Sequence, residues 1–83
     1  MPAGKARLKE IVDEHLHREG YARAWLEVEV ADRTAKGGSR VLKGGEISGA
    51  SGGFLDLDDG GRVPFHRVRE VRSRGEVLYS RPA

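Results

Sequence analysis

Glycine decides what this chain can fold into. Twelve of its 83 residues are glycine, and they cluster between the periodic segments, where they read as loop punctuation. What they separate is short and alternates apolar with polar residues, the mark of half-buried strands. In Leu26-Glu27-Val28-Glu29-Val30-Ala31 the apolar Leu26, Val28 and Val30 alternate with Glu27 and Glu29. Trp25 opens that strand, and either caps the core or stands on an open face as a stacking platform. Val41-Leu42-Lys43 followed by Gly44-Gly45-Glu46-Ile47 suggests a second strand, kinked or bulged at its glycines. Phe54-Leu55-Asp56-Leu57-Asp58 reads as a third, and Asp58-Asp59-Gly60-Gly61 as the turn that returns it through Arg62-Val63-Pro64-Phe65 in a hairpin. Pro64 cannot donate to a ladder, so it belongs at an edge, a bulge or a strand end. His66-Arg67-Val68-Arg69-Glu70-Val71 mixes helical and strand spacing, as one tight helical turn or a sharply bent strand would. Ser73-Arg74-Gly75 turns the chain into a last strand, Glu76-Val77-Leu78-Tyr79-Ser80-Arg81. Residues 34–40 and 48–53 are expected as loops.

One segment has a different period. Leu8, Ile11, Val12 and Leu16 fall at helical spacing and predict an amphipathic helix over residues 5–19, stopped by Gly20 and preceded by a loose tail at 1–4. His15 and His17, two residues apart, lie on different helical faces; they are expected at the surface of the helix end, not as a metal pair. The fold class is therefore α+β: an N-terminal helix packed on a small, strongly curved, mostly antiparallel sheet of about five strands over residues 24–81. A sheet this small needs closure or a helix over its apolar face, so an open SH3-like or Sm-like barrel is the nearest analogy. A chain of this length has room for a single domain with one modest core.

Composition excludes several classes of function. There is no cysteine, hence no disulfide framework and no thiolate metal site, which fits a reducing cytoplasm. No apolar run approaches membrane-spanning length and the N-terminus lacks the apolar core of a secretion signal, so a soluble cytoplasmic protein is expected. The loop holding Gly37-Gly38 lacks the spacing of a P-loop or a dinucleotide fingerprint, and no cofactor is expected. The net charge of +2 conceals an asymmetry. From Gly61 onward six arginines face Glu70 and Glu76, a local +4, with His66 as a further potential cation, whereas residues 26–60 carry seven acids against four bases, or −3. The bases of the C-terminal segment are all arginine, whose planar fork holds a phosphate through two parallel hydrogen bonds and stacks on bases. Arg69, Arg72 and Arg74 are thereby candidates for phosphate contacts, either within a site or along a backbone. A soluble strand pair with an arginine-rich solvent side is the plainer reading of the same charge.

Three stretches carry a family resemblance. Phe54-Leu55-Asp56-Leu57-Asp58, then Val63-Pro64-Phe65-His66-Arg67-Val68, then Gly75-Glu76-Val77-Leu78-Tyr79 resembles the signature of a small domain family found alone and fused to RNA-processing enzymes, proposed to recognise RNA ends bearing cyclic phosphate. Residues 26–33 are similar to its strand-then-Asp-Arg element and Gly45-Glu46-Ile47 to a second one. Phe65 stands where the family usually has Tyr, Val63 and Val68 replace Ile, and Tyr79 falls near its usual Trp. The resemblance implies Arg33, His66 and Arg67 as end-recognition groups; taken with the arginine-rich segment, the expectation is a non-catalytic module whose partner is RNA, with Arg69, Arg72, Arg74 and Tyr79 as further contacts. A compact cyclic monoanion next to a ribose suits a forked guanidinium, an imidazole donor and an aromatic face. Two alternatives stay open. His66 can instead bond a backbone carbonyl in the bend with Arg67 paired to Asp32 or Glu46, and the chain can be a protein-interaction module of an RNA-processing complex. A cyclic phosphodiesterase or ribonuclease is disfavoured, since such enzymes commonly flank the phosphate with two acid-base groups and only one histidine lies in this segment.

Overall fold

A computed structural model describes residues 4–20 and 22–80, with side chains from Arg7 onward. The helical spacing gives helix α1, Gly4–His17, so the expected tail is helix at Gly4 and otherwise lies outside the described residues. Leu8, Ile11 and Val12 are buried. The solvent side carries the pairs Arg7–Glu10, Lys9–Asp13 and Arg18–Glu14, each exposed and worth a few tenths of a kcal/mol. Gly20, with φ +91°, ends the segment. His17 is exposed, as expected, but His15 is only 2% exposed. It follows Leu8, Ile11 and Val12 at seven, four and three residues, which sets it on the buried stripe. Its Nδ1 lies 2.8 Å from the Ile11 carbonyl and its Nε2 2.7 Å from Ser73 Oγ. A carbonyl only accepts, so Nδ1 carries a proton, and in the neutral ring Nε2 accepts from the serine hydroxyl.

The α+β expectation holds, but the single sheet of about five strands does not. The described residues form seven strands in two antiparallel sheets that do not close into a barrel. β1 (Leu26–Ala31), β2 (Ser39–Lys43), β6 (Val68–Ser73) and β7 (Glu76–Ser80) form one sheet in the order β2-β1-β6-β7. β3 (Ile47–Ser51), β4 (Phe54–Leu57) and β5 (Arg62–Pro64) form the other. Trp25 does not open β1; it ends the 3₁₀ turn Arg23–Trp25 that feeds it. The kink expected at Gly44-Gly45 is the 3₁₀ turn Gly44–Glu46, where the chain leaves one sheet for the other. β3 occupies most of the expected loop at 48–53. Only Ile47 and Ala50 of it are buried, and small residues give almost no period-two signal. The β4–β5 hairpin forms as expected, with Leu57 N donating to Gly61 O at 2.8 Å and Pro64 ending the edge strand.

The core joins the helix to both sheets, since α1 packs on β3 and β7. Leu8, Ile11 and Val12 meet Leu26, Val28, Val30, Leu42, Ile47, Leu55, Phe65, Val68 and Val71 in one cluster. Arg23 clamps the sheet switch: Nε donates to Gly44 O (2.9 Å) and Nη2 to Ile47 O (2.7 Å), with Asp58 at 3.0 Å. Gly44 is required there because a Cβ would overlap the Arg23 carbonyl. Among the described residues no helix is long and apolar enough to cross a membrane.

Candidate functional site

The turn Phe65–Arg67 is built to expose its polar residues. Phe65 is buried and anchors the turn in the core, Phe65 N donates to Gly53 O at 2.8 Å, and His66 and Arg67 stay exposed before Val68 returns inward. A bend of this kind is what the mixed spacing at 66–71 predicts. Immediately after it the β1–β6 ladder slips: Glu29 faces Glu70 but Val30 faces Val68. Arg69 is the extra residue of this bulge. The insertion keeps Val68 and Val71 both inward and turns Arg69 to solvent.

The opposite wall is the loop after β1. Asp32 Oδ1 accepts from Thr34 N at 2.9 Å and Thr34 Oγ at 2.7 Å, while Asp32 N donates to Gly38 O and Gly38 N to Ala35 O. Gly37 and Gly38 both have φ near +80°, a conformation glycine adopts without strain. The expected flexible loop is thus a hydrogen-bonded one, and Arg40 belongs to β2. The Thr34 hydroxyl, then its backbone amide, hold the Asp32 carboxyl below its ordinary value, with Arg40 adding a weaker attraction. Arg33, next to this hub, is exposed.

These two walls enclose a cleft of about 680 Å³ lined by Ala31, Asp32, Arg33, Thr34, Gly38, His66 and Arg67. Arg33, His66 and Arg67 therefore stand around one hollow although about two fifths of the sequence separates Arg33 from the other two. Among the described residues neither Arg33 nor Arg67 has a carboxylate or hydrogen-bond partner; in particular, the pairing of Arg67 with Asp32 or Glu46 does not occur. Asp32 faces Arg40 at 3.9 Å, and Glu46 accepts from Lys43 N.

The other expected contacts lie elsewhere. Arg72 is on the solvent face of the first sheet, where Glu70, Glu27 and Glu29 surround it, and its bond with Glu70, before the one with Glu27, holds its guanidinium above its ordinary value. Glu27 is held below its own value, first by Lys43 and then by Arg72. Arg74 sits beyond the far end of the ladder, its guanidinium 4.2 Å from the Trp25 ring centroid. The register pairs Val30↔Val68 and Leu26↔Ser73 bound that ladder, which separates the two ends by roughly 13 Å at about 3.3 Å per residue. Trp25 is half-buried, with the Arg74 guanidinium over its ring. Tyr79, on β7, faces Val71 of β6 and packs on the core.

Thr34, Gly38 and Arg40 escape a reading by residue type. The signal for Thr34 was available, because Asp-x-Thr is a local turn in which the hydroxyl and amide return to the carboxylate. Among the described residues no group of three or more His, Asp or Glu is placed to hold a metal ion. No known protein-family model matches the chain, and no solved structure does. A 30-residue stretch is 47% identical to the UPF0248 protein of Metallosphaera sedula, covering 36% of this chain and 38% of that protein.

Proposed function

We propose that this chain is a non-catalytic RNA-binding module that reads RNA ends carrying a cyclic phosphate, with the terminal nucleotide in the cleft between Arg33 and Arg67. One observation carries the reading: two guanidiniums with no carboxylate partner among the described residues flank a hollow of nucleotide size, about 680 Å³. A surface arginine chosen for solubility commonly finds an acid, as Arg7, Arg18 and Arg62 do here. Two that do not, across one cleft, suit an anionic ligand whose charge they would neutralise. His66 adds an imidazole to the same rim, and Arg69 follows on the bulge. Binding without turnover fits the one carboxylate of the lining, since Asp32 is ionised and committed to Thr34, which leaves it a poor proton donor.

The test is an equilibrium titration at fixed salt with one short RNA ending in a cyclic phosphate, a linear phosphate or a hydroxyl. Preference for the cyclic end, lost in Arg67→Ala and in His66→Ala, is the expected result. Equal, salt-sensitive affinity for all three ends would reduce the cleft to a general backbone contact and overturn the reading.

A further inference from the structure

Arg67 lines more than the main cleft. On its other side is a second hollow of about 280 Å³, walled by Val30, Leu57 and Val63, where Arg40, Arg62 and Arg67 outnumber the two carboxylates of the lining, Asp32 and Asp59. The two hollows share Ala31, Asp32 and Arg67, so a ligand passing from one to the other passes the Arg67 guanidinium. Both additional arginines retain donors. Arg40 Nε is 3.9 Å from Asp32, beyond hydrogen-bond reach. Arg62 stacks on the Phe54 ring at 4.6 Å and gives Nε to Asp56 at 3.0 Å, while among the described residues its terminal nitrogens carry no hydrogen bond. Beyond Arg40 the sign reverses: among the described residues the next groove is lined by Glu46, Asp59 and Asp58, the last paired with Arg23, with Arg40 as the one cation of the lining.

Resting on the RNA-end reading of the main cleft, we infer that the site has a footprint of two nucleotides. The terminal nucleotide occupies the main cleft. The phosphodiester that joins it to its neighbour lies in the second hollow between Arg40 and Arg62. Arg67 stands between the terminal and the internal phosphate and can donate one edge of its fork to each. The ribose of the penultimate nucleotide rests on Leu57 and Val63. A third phosphate would enter the acidic groove, where like charge opposes it, so the chain is read at its end and released after one step.

The test uses the full chain and a ladder of cyclic-phosphate-ended ligands: a mononucleoside 2′,3′-cyclic phosphate, then the di- and tetranucleotide. Affinity should rise about tenfold from mono- to dinucleotide, with the salt slope steeper by about 0.7 for the added phosphate, and change less than about twofold from di- to tetranucleotide. Arg62→Ala and Arg40→Ala should lower dinucleotide affinity to that of the mononucleotide and leave the mononucleotide unaffected. The double variant Glu46→Gln, Asp59→Asn keeps the acceptors used by Lys43 N and Gly61 N while removing two charges, and it should let the tetranucleotide bind more tightly than the dinucleotide. Equal affinity for mono- and dinucleotide, with mononucleotide binding still lost in Arg67→Ala, would overturn the second subsite and leave the end-recognition reading standing. Affinity that climbs steadily to the tetranucleotide in the unmodified chain would overturn the two-nucleotide limit. Failure of every member to bind would remove the end-recognition reading and this inference with it.

Discussion

Arg67 and Arg72 are near neighbours in sequence, and their surroundings are opposite. Arg67 stands on a cleft with no partner among the described residues, whereas Arg72 lies half-buried among Glu27, Glu29 and Glu70. Arg33 belongs with the first and Arg23, whose guanidinium holds the sheet switch together, with the second. The difference teaches that a guanidinium's charge is available to a ligand only where the fold has not already spent its donors. On an open ladder the cross-strand neighbours decide this: Glu27 faces Arg72 directly and Glu29 faces Glu70, a like-charge pair that would be unfavourable without the arginine between them. At the bulge and the 3₁₀ turn the backbone leaves the ladder, and among the described residues Arg67 and Arg69 stand there without a carboxylate partner.

The contrast predicts two classes of variant. The largest effect belongs to the arginine clamp: Gly44→Ala forces a Cβ into the Arg23 carbonyl and should cost about 3 kcal/mol or more. Arg23→Ala, which deprives the Gly44 and Ile47 carbonyls of their donor, should cost about 1–3 kcal/mol. Denaturant midpoints measure both, and an unchanged midpoint in Arg23→Ala would place that residue with the uncommitted arginines. Next comes Arg67→Ala, for which a roughly 10- to 100-fold loss of affinity for a cyclic-ended RNA is expected from charge-assisted hydrogen bonds of about 1.5–3 kcal/mol, with the thermal midpoint hardly moved. Arg72→Ala should do the reverse, lowering stability by about 1 kcal/mol because Glu29 and Glu70 lose their cation while Glu27 keeps Lys43, at unchanged affinity. If Arg72→Ala weakened RNA binding as much as Arg67→Ala does, the distinction between the two would collapse.

Acid should act on the committed network as well. The carboxyls of Glu27 and Asp32 are held below their ordinary values of 4.5 and 3.8, so as pH falls they take up protons in the unfolded chain before they do in the folded one. Their contribution is complete above about pH 5 and is lost as pH falls through those values toward the lowered ones. Thermal melts from pH 7 to 3 should show this loss, and it should be smaller in Glu27→Gln and Asp32→Asn; an identical acid limb in both variants would exclude these groups as its source. The smallest effect is expected at the far end of the ladder. Arg74 adopts φ +53° in the turn before Gly75, a strained conformation for a side-chain-bearing residue, and gains a cation–π contact with Trp25. Arg74→Gly relieves the first and removes the second, contributions of similar size at about 0.5–1 kcal/mol each, so stability should change by less than about 0.5 kcal/mol while RNA affinity stays the same.

The chain's own pattern determined the helix, β1, the two hairpins and the bend at Pro64-Phe65-His66-Arg67, because each follows from a local rule: helical period, alternation, turn residues, or proline fixed at a strand end. It also marked Arg33, His66 and Arg67. The partition into two sheets was not legible, since a glycine kink looks the same whether a strand bends or changes partner. β3 was hidden by its small residues, and His15 by the weight given to its polarity over its place on the Leu8-Ile11-Val12 stripe. Nor could a count of arginines separate Arg67 and Arg69 from Arg72 and Arg74. Pairing register is set by long-range contacts, and register alone put glutamates around Arg72, an indole under Arg74 and open space beside Arg67. The sequence determined where the cations lie along the chain; the tertiary structure decided which were left unpaired, because neutralisation of a charge depends on what stands within a few ångströms in space.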